Sequence, residues 1–417
     1  MTATTRDITV IGAGVIGVAC ARQLQRDGHR VCVLDPEPPG QACSWGNAGV
    51  FATDSVIPLA TPATLRAVPA MLLRSDAPLT LRWRYLPRLL PWLLRFVTQA
   101  RPRRVAEISR ALTALCTAAD DATAALVAES RAAELIHDTG WLTVYETRAG
   151  LEAGRAEAAE RQRHGIECEV LSAAAVRQWL PAIGDHVTGG LRSPQCAMCA
   201  DPGAFVAHLA ADVATAGGTF ERVRAHRLVP HADGIRIETD RGSHDSELVV
   251  VATGIETNAL AATVGERFPL DTERGYHLMA PEAGVRPALP VMAGEHKFVT
   301  TPMAQGLRLA GLTELGGTRL PPDPRRYRSM LRHAQRLFPA LAAAQWSQWM
   351  GFRSTLPDSL PVIGPSPREP RVHYAFGHQH LGLTLAGLTG QLIADGVAGR
   401  ASAIDTAPLR PGRWLGG

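Results

Sequence analysis

Two groups of residues in this sequence have the types and spacing to do chemistry, and they lie at opposite ends of it. Near the start, Gly12, Gly14 and Gly17 form a GxGxxG directly after the apolar run "ITVI", and Asp35 stands 18 residues beyond Gly17. Glycines at that spacing allow a tight turn, let a pyrophosphate approach the backbone, and let the following helix pack closely on the strand. The first turn of that helix, at Val15 and Ile16, presents free N–H groups and the positive end of a helix dipole to a phosphate. An acid at Asp35 can accept hydrogen bonds from ribose hydroxyls. The chemistry is the binding of a dinucleotide. Late in the chain, "MGFRSTLPDSLPVIG" (350–364) carries one arginine, Arg353, among small, apolar and proline residues. Arginine is rarely buried without a partner, and its planar guanidinium grips a carboxylate at two points. That carboxylate belongs either to a small substrate or to the protein itself, where Asp358 is the candidate.

The elements that must hold these residues can be read around them. "ITVIGAGVIGVACARQLQRDGHRVCVLD" is a strand, a glycine loop, an amphipathic helix, a turn at Asp27-Gly28-His29 and a second strand ending in Asp35. "SELVVVATGIETN" (246–258) reads as a buried strand running into Ala252, Thr253 and Gly254, where the chain passes the same ligand again. Before it, 201–228 reads as a helix opening near Asp201-Pro202, a turn at Gly217-Gly218 and a strand that adds to the first sheet. "RVHYAFGHQHLGLTLAGLTGQLIADGVAGR" (371–400) gives a short strand, a turn from Gly377 to Gly382, then Leu383 and Thr384 leading into a helix of small residues. The nucleotide-binding part is therefore discontinuous. No second GxGxxG is present, which argues against a second dinucleotide such as NADPH docking in a fold of its own.

The bulk composition narrows the function. A chain of 417 residues, 46% hydrophobic and 20% charged, is long enough for two domains with large cores. A net charge of +4 with no basic stripe interleaved with aromatics gives no sign of nucleic acid. Lys297 is the only lysine. The seven cysteines are odd in number and scattered, as expected for reduced thiols in a cytoplasm. Cys196 and Cys199 form a CxxC with no second pair or histidines at ligand spacing, so no metal site is expected. Polar residues lead straight into the first strand and no apolar run approaches a membrane span, so neither a secretory leader nor a transmembrane helix is expected. One segment is unusual: "LRWRYLPRLLPWLLRFVTQARPRR" (81–104) is basic and aromatic-rich. Nine arginines and one acid, Asp76, fall between Arg66 and Arg104. It reads either as a peripheral contact with the inner face of a membrane or as a packed helix pair broken by Pro87 and Pro91. A helix near 109–136 and strands at 141–146 and 166–171 are expected beyond it.

As a set, the N-terminal fingerprint, "GQACSWGNAG", the ATG strand, "GFRSTLPDSLPVIG" and "GHQHLGLTLAGLTG" resemble the D-amino-acid oxidase-like (DAO) family of FAD-dependent oxidoreductases. "SWGNAGV", "PLATPATLRAVP" and "ERGYHL" are most similar to bacterial D-amino-acid dehydrogenases, including the branch acting on D-proline and hydroxyproline. The resemblance implies an α/β fold with a discontinuous Rossmann-like FAD-binding domain (1–52, 200–265 and 345–417). It also implies an α+β substrate domain on an antiparallel or mixed sheet (53–199 and 266–344). The cofactor is FAD. Ser44, Asn47, Ala48 and Gly49 would pass beside the pyrophosphate and flavin, and Arg353 would bind the substrate carboxylate. Gly351 stands where related sarcosine oxidases carry a flavin-linking cysteine, so the FAD is expected to be non-covalent. The reaction implied is hydride transfer from Cα of a D-amino acid to flavin N5, giving an imine and then a 2-oxo acid, with a quinone, a carrier or O2 as electron acceptor. A D-proline or cis-4-hydroxy-D-proline dehydrogenase giving a cyclic imine is the alternative. A flavin monooxygenase, or an FAD-binding subunit of a larger dehydrogenase, is the alternative of another class. Lys297, Tyr276 and His380 are further candidates for the substrate site; each has an equally ordinary reading as a solvated lysine, a half-exposed strand residue or a backbone-bonded histidine.

Overall fold

Alternating apolar residues make β1 (Asp7–Ile11) a strand that is buried from its second residue onward, and the glycine loop after it releases the chain into α1 (Val15–Arg26) and β2 (Arg30–Leu34). In this computed structural model, residues 5–72, 74, 76–342 and 345–415 are described. The outermost ends of the expected FAD-binding part (1–4, 416 and 417) lie outside them, as do 73, 75, 343 and 344. The chain continues through α2 (Pro62–Leu72), the short strand β3 (Leu79–Leu81), α3 (Leu86–Gln99) and the long α4 (Pro102–Val127). Next come β4 (Trp141–Tyr145), α5 (Arg148–Arg163), β5 (Glu169–Ser172) and β6 (Gly189–Ser193). α6 (Pro202–Thr215), whose N-cap Asp201 accepts from Ala204 N–H, leads to β7 (Thr219–Glu221) and the fully buried β8 (Leu248–Val251). Then come β9 (Asp271–Ala280), β10 (Val291–Ala293), β11 (Phe298–Met303), β12 (Gly306–Leu315), α7 (Pro324–Leu337) and β13 (Ser347–Thr355). The chain closes with β14 (Val362–Pro365), β15 (Val372–Phe376) and α8 (Ala386–Ala398).

Two sheets organise these elements. The first has the order β7-β2-β1-β8-β15-β14, parallel except at the last pair. Ile8 and Val10 bury one face against α1, α4, α6 and α8, while Ile11, Val249 and Val251 pack on Ile235 and Ile237 of a small antiparallel sheet on the other. A parallel sheet covered on both faces needs such continuous apolar strands. The second sheet has the order β13-β9-β12-β11-β10-β4-β6-β5, with β3 alongside β12, and is mixed because β10 runs parallel to β4.

Three expectations are corrected. Strand β13, assigned from sequence to the FAD-binding part, hydrogen-bonds along β9 and is the edge of the second sheet. Pro87 and Pro91 do not break 81–104: Pro87 lies in the first turn of α3, where no N–H is needed, and the helix carries Pro91 through its exposed side. The helix expected at 109–136 begins earlier and ends earlier, as α4.

One irregularity bears directly on the site. The β9–β12 ladder slips between Arg274 and Tyr276, so Leu312 and Thr313 together face Gly275. Leu312 is held at φ 57°, in the left-handed region that an ordinary side chain seldom adopts.

Candidate cofactor and substrate site

The ends of both sheets and the loop between them enclose one cavity of about 2000 Å³. At its nucleotide end Gly12 has φ 109°, and a Cβ there would lie 2.5 Å from the Ala252 carbonyl oxygen; a Cβ on Gly17 would run into the Gly12 carbonyl oxygen. The loop is thus pressed between β8 and its own helix with no room for side chains. Ser44 Oγ accepts from Val15 N–H at 2.9 Å, tying the loop after β2 to the first turn of α1. Asp35 lines the cavity, and its two oxygens accept from Ala13 N–H at 2.7 Å and Glu37 N–H at 2.8 Å. Burial pushes its carboxyl up and the two backbone N–H groups pull it back. Each carboxylate oxygen keeps a further lone pair, so Asp35 both shapes the loop and has capacity for a ribose hydroxyl.

The loop 42–48 forms the middle of the wall. Arg308, which no motif in the sequence singles out, is buried beneath it and donates to the carbonyls of Trp45 and Asn47 at 2.9 and 2.7 Å. Burial pulls its guanidinium down to about 10. Asn47 Oδ1 accepts from Gly49 N–H, and the Ala48 carbonyl accepts from the Thr301 hydroxyl at 2.7 Å. Thr253 and Gly254 face the cavity from the end of β8, with Val15 and Ile16 opposite. From the C-terminal loop, Gly382 and Leu383 reach the wall. Gly17, Gly49, Gly377 and Thr384 are not among the lining residues; Thr384 Oγ1 instead accepts from Ala52 N–H at 2.9 Å and fixes the loop from behind.

At the other end, β13 and β9 bring Arg353 opposite Glu273. Arg353 Nη1 donates to the Leu312 carbonyl at 2.9 Å, so the left-handed bulge residue aims the oxygen that orients the guanidinium. Its side chain lies directly across Gly275, where a Cβ would come within 2.5 Å of Nη2. Among the described residues Arg353 forms no salt bridge. Asp358 is taken by Arg413 at 2.8 Å, which removes the protein partner considered from sequence. Part of Arg353 remains accessible only because it opens into the cavity; burial still lowers its pKa, with Glu273 and Cys43 acting in the other direction. Glu273, buried, is pushed up by desolvation and held back by Arg353.

Lys297 lies beside this centre. It occupies the turn between β10 and β11 at φ 52°, and its carbonyl accepts from Leu312 N–H at 3.0 Å. Leu312 therefore bridges Lys297 and Arg353, and two strained non-glycine residues meet at one point of the wall. Lys297 forms no salt bridge among the described residues. His380 faces the same space from the C-terminal loop, which Gln379 pins to β13 through its N–H to Ser354 O at 3.0 Å. His380 is exposed to the cavity; desolvation within it and then the Arg353 charge pull its imidazole down to about 4. His378, next to it, shares a 2.9 Å bond with the Thr389 hydroxyl and is held at about 3 by burial.

Tyr276 also lines the cavity, but its hydroxyl is engaged away from Arg353. Strand β9 alternates: Glu273, Gly275 and His277 turn one way, whereas Arg274, Tyr276 and Leu278 turn the other. The Tyr276 hydroxyl is buried against Glu314 Oε1 (3.0 Å) and Asp323 N–H (3.1 Å), a structural role. On the site face His277 packs against Trp45 and stacks on Trp349 at 4.9 Å, and the Trp349 ring covers Gly46 and Gly351.

Known proteins were compared with this chain. A family model described as "DAO: FAD dependent oxidoreductase" matches residues 7–396. A D-amino-acid oxidase of Bradyrhizobium diazoefficiens is 34% identical over 418 residues, covering 98% of this chain and 99% of that protein. A D-amino acid dehydrogenase of Paramagnetospirillum magneticum is 34% identical over 416 residues, 95% of this chain and 96% of its own. Among solved structures, glycine oxidase from Geobacillus kaustophilus superimposes with a TM-score of 0.74 at 22% identity, over 99% of this chain and 100% of that one. L-Proline dehydrogenase from P. horikoshii gives 0.72 at 16%, over 98% and 97%. At those identities the likeness is one of fold.

Proposed function

The chain belongs to the DAO family of FAD-dependent oxidoreductases, and from that premise we propose that it oxidises D-amino acids at Cα, with Arg353 as the carboxylate anchor. The observation that carries this reading is an arginine in the cavity wall that forms no salt bridge among the described residues and is oriented by the Leu312 carbonyl. The cradle at Gly12, Gly14, Asp35 and Ser44 fits the adenosine diphosphate half of FAD, and loop 42–48 with Gly382 and Leu383 would hold the flavin half. When bound, the flavin supplies the two-electron acceptor for the hydride leaving Cα.

The chain's own residues position and protect. Arg353 fixes two directions of the substrate carboxylate at once, which sets where Cα sits. Lys297 lines the same cavity. A desolvated site next to a cation lowers the pKa of the substrate ammonium, so the amine becomes neutral without a dedicated base. Neutral His380 faces this space without adding a charge. With Gly351 at the relevant position and covered by Trp349, the flavin is held non-covalently in this reading; acid precipitation should release it entirely. The test of function is anaerobic flavin bleaching by D- and L-amino acids, including D-proline and cis-4-hydroxy-D-proline, repeated with Arg353→Leu. Wild type is bleached by D-isomers, and the variant loses on the order of 10²- to 10³-fold in efficiency. Bleaching by no amine, or an undiminished variant, overturns the proposal.

For electron delivery, α3 exposes Leu90, Leu94 and Val97, with Trp83 just before it, beside Arg84, Arg88 and Arg95. Among the described residues no helix is long and apolar enough to cross a membrane. We propose that this face rests on an anionic membrane surface, bringing the site near a lipid-borne acceptor.

A further inference from the structure

The cavity is about twice the upper end of the usual size for a ligand pocket. Beyond Arg353 it continues between α2, α3 and β3. Leu79 of β3 is paired beside Thr313, next to the residue whose carbonyl holds Arg353. Trp92 of α3 donates Nε1–H to the Thr355 carbonyl, two residues past Arg353, and Phe96 stacks on it at 5.1 Å. The roof is α2. Its residues Leu65, Val68 and Met71 recur at helical spacing in the cavity wall, yet no residue of the helix is buried. A helix with one charged residue, Arg66, that turns a half-buried apolar face to the cavity offers that face to an apolar ligand.

We propose that this lobe receives the side chain of the substrate, and that the enzyme therefore selects D-amino acids with large branched or aromatic apolar side chains over alanine and acidic ones. The proposal rests on the amino-acid reading above. Its geometric basis is continuity: the cavity that Arg353 lines is also walled by apolar residues of β3, α3 and α2, among them Leu79, Trp92 and Val68. Each CH2 moved from water into that lobe tightens binding about fourfold.

The test uses the holoenzyme and n-alkanoates, whose binding is read from the flavin absorbance without turnover. From propionate to hexanoate, three added CH2 groups should lower Kd roughly 60-fold. Val68→Trp, which fills the lobe, should weaken hexanoate far more than acetate. Phe96→Ala, which strips the wall, should act in the same sense. In flavin reduction, D-leucine and D-phenylalanine should exceed D-alanine by a comparable factor. A flat alkanoate series, or variants that weaken acetate and hexanoate equally, overturns the lobe. So do variants that alter the KM for a short-chain quinone and leave the alkanoate series alone. A steep series in an enzyme that no amino acid bleaches keeps the lobe and removes the amino-acid reading instead.

Discussion

Gly275→Ala is the sharpest probe of the site, because the added methyl group is the only change. Gly275 is not among the residues with positive φ, so alanine fits its backbone. The new Cβ would lie 2.5 Å from Nη2 and 2.6 Å from Cζ of Arg353, whereas contact at the van der Waals minimum needs about 3.5 Å or more. The guanidinium must therefore withdraw by about 1 Å, against a 2.9 Å bond to the Leu312 carbonyl that it would lengthen or lose. A displacement of that size at a substrate anchor costs about 10²-fold in rate. Stopped-flow anaerobic reduction with a D-amino acid gives both the limiting rate and the apparent Kd. The variant should retain its flavin and lose about 100-fold in their ratio. In an Arg353→Leu background the same methyl should cost less than threefold, since the group it displaces is gone. Reduction of Gly275→Ala within threefold of wild type would refute the placement of Arg353 as the anchor.

Three further outcomes are expected. Gly17→Ala should yield colourless protein, because its Cβ meets the Gly12 backbone and cannot be accommodated by side-chain motion; a fully flavinated variant would count against the cradle. His277, buried between Trp45 and Trp349, is pulled down to about 4 by burial, so the folded state binds its proton less tightly than the unfolded chain. Its contribution is intact above pH 6.5 and is lost as pH falls from 6.5 toward 4, on the order of 3 kcal/mol. Urea melts across that range should therefore be steeper in pH for wild type than for His277→Gln, and equal slopes would contradict it. Wild type should co-sediment with anionic but not neutral vesicles at low salt, and Leu90→Glu with Leu94→Glu should abolish this; unchanged sedimentation removes the membrane reading of α3.

The nucleotide end was legible because its parts are adjacent in sequence: a strand, glycines at fixed spacing, a helix and an acid within about thirty residues. Arg353 was legible as a charge with no local reason. What surrounds it was not, because Glu273, Gly275 and Leu312 reach it through strand pairings from distant segments. Tyr276 shows the limit most plainly. Both faces of β9 are buried, so alternation could not say which face meets the substrate, and a shift of one residue exchanges them. The slip at Leu312 that aims a carbonyl at Arg353 has no signature in residue type, since a leucine sits where the backbone turns left-handed. Arg308 was invisible for a related reason: its partners are backbone carbonyls of a loop far away in the chain.

The order of strands in the first sheet also sets a timetable. β1 and its glycine loop are made well before the strands that flank them: β8 seals one side only from residue 248, and β15 is made from residue 372. At ribosomal speed the interval is on the order of a minute. Until about residue 252 the fingerprint loop has no floor to press against, and until the loop to Leu383 is made Ser44 has no finished cavity to close. A nascent chain lacking β15 and the loop to Leu383 would thus be unable to keep FAD. Cofactor capture must wait for β15 and the loop after it, and removal of residues 368–417 should empty a site whose recognised motif lies entirely within residues 12–35.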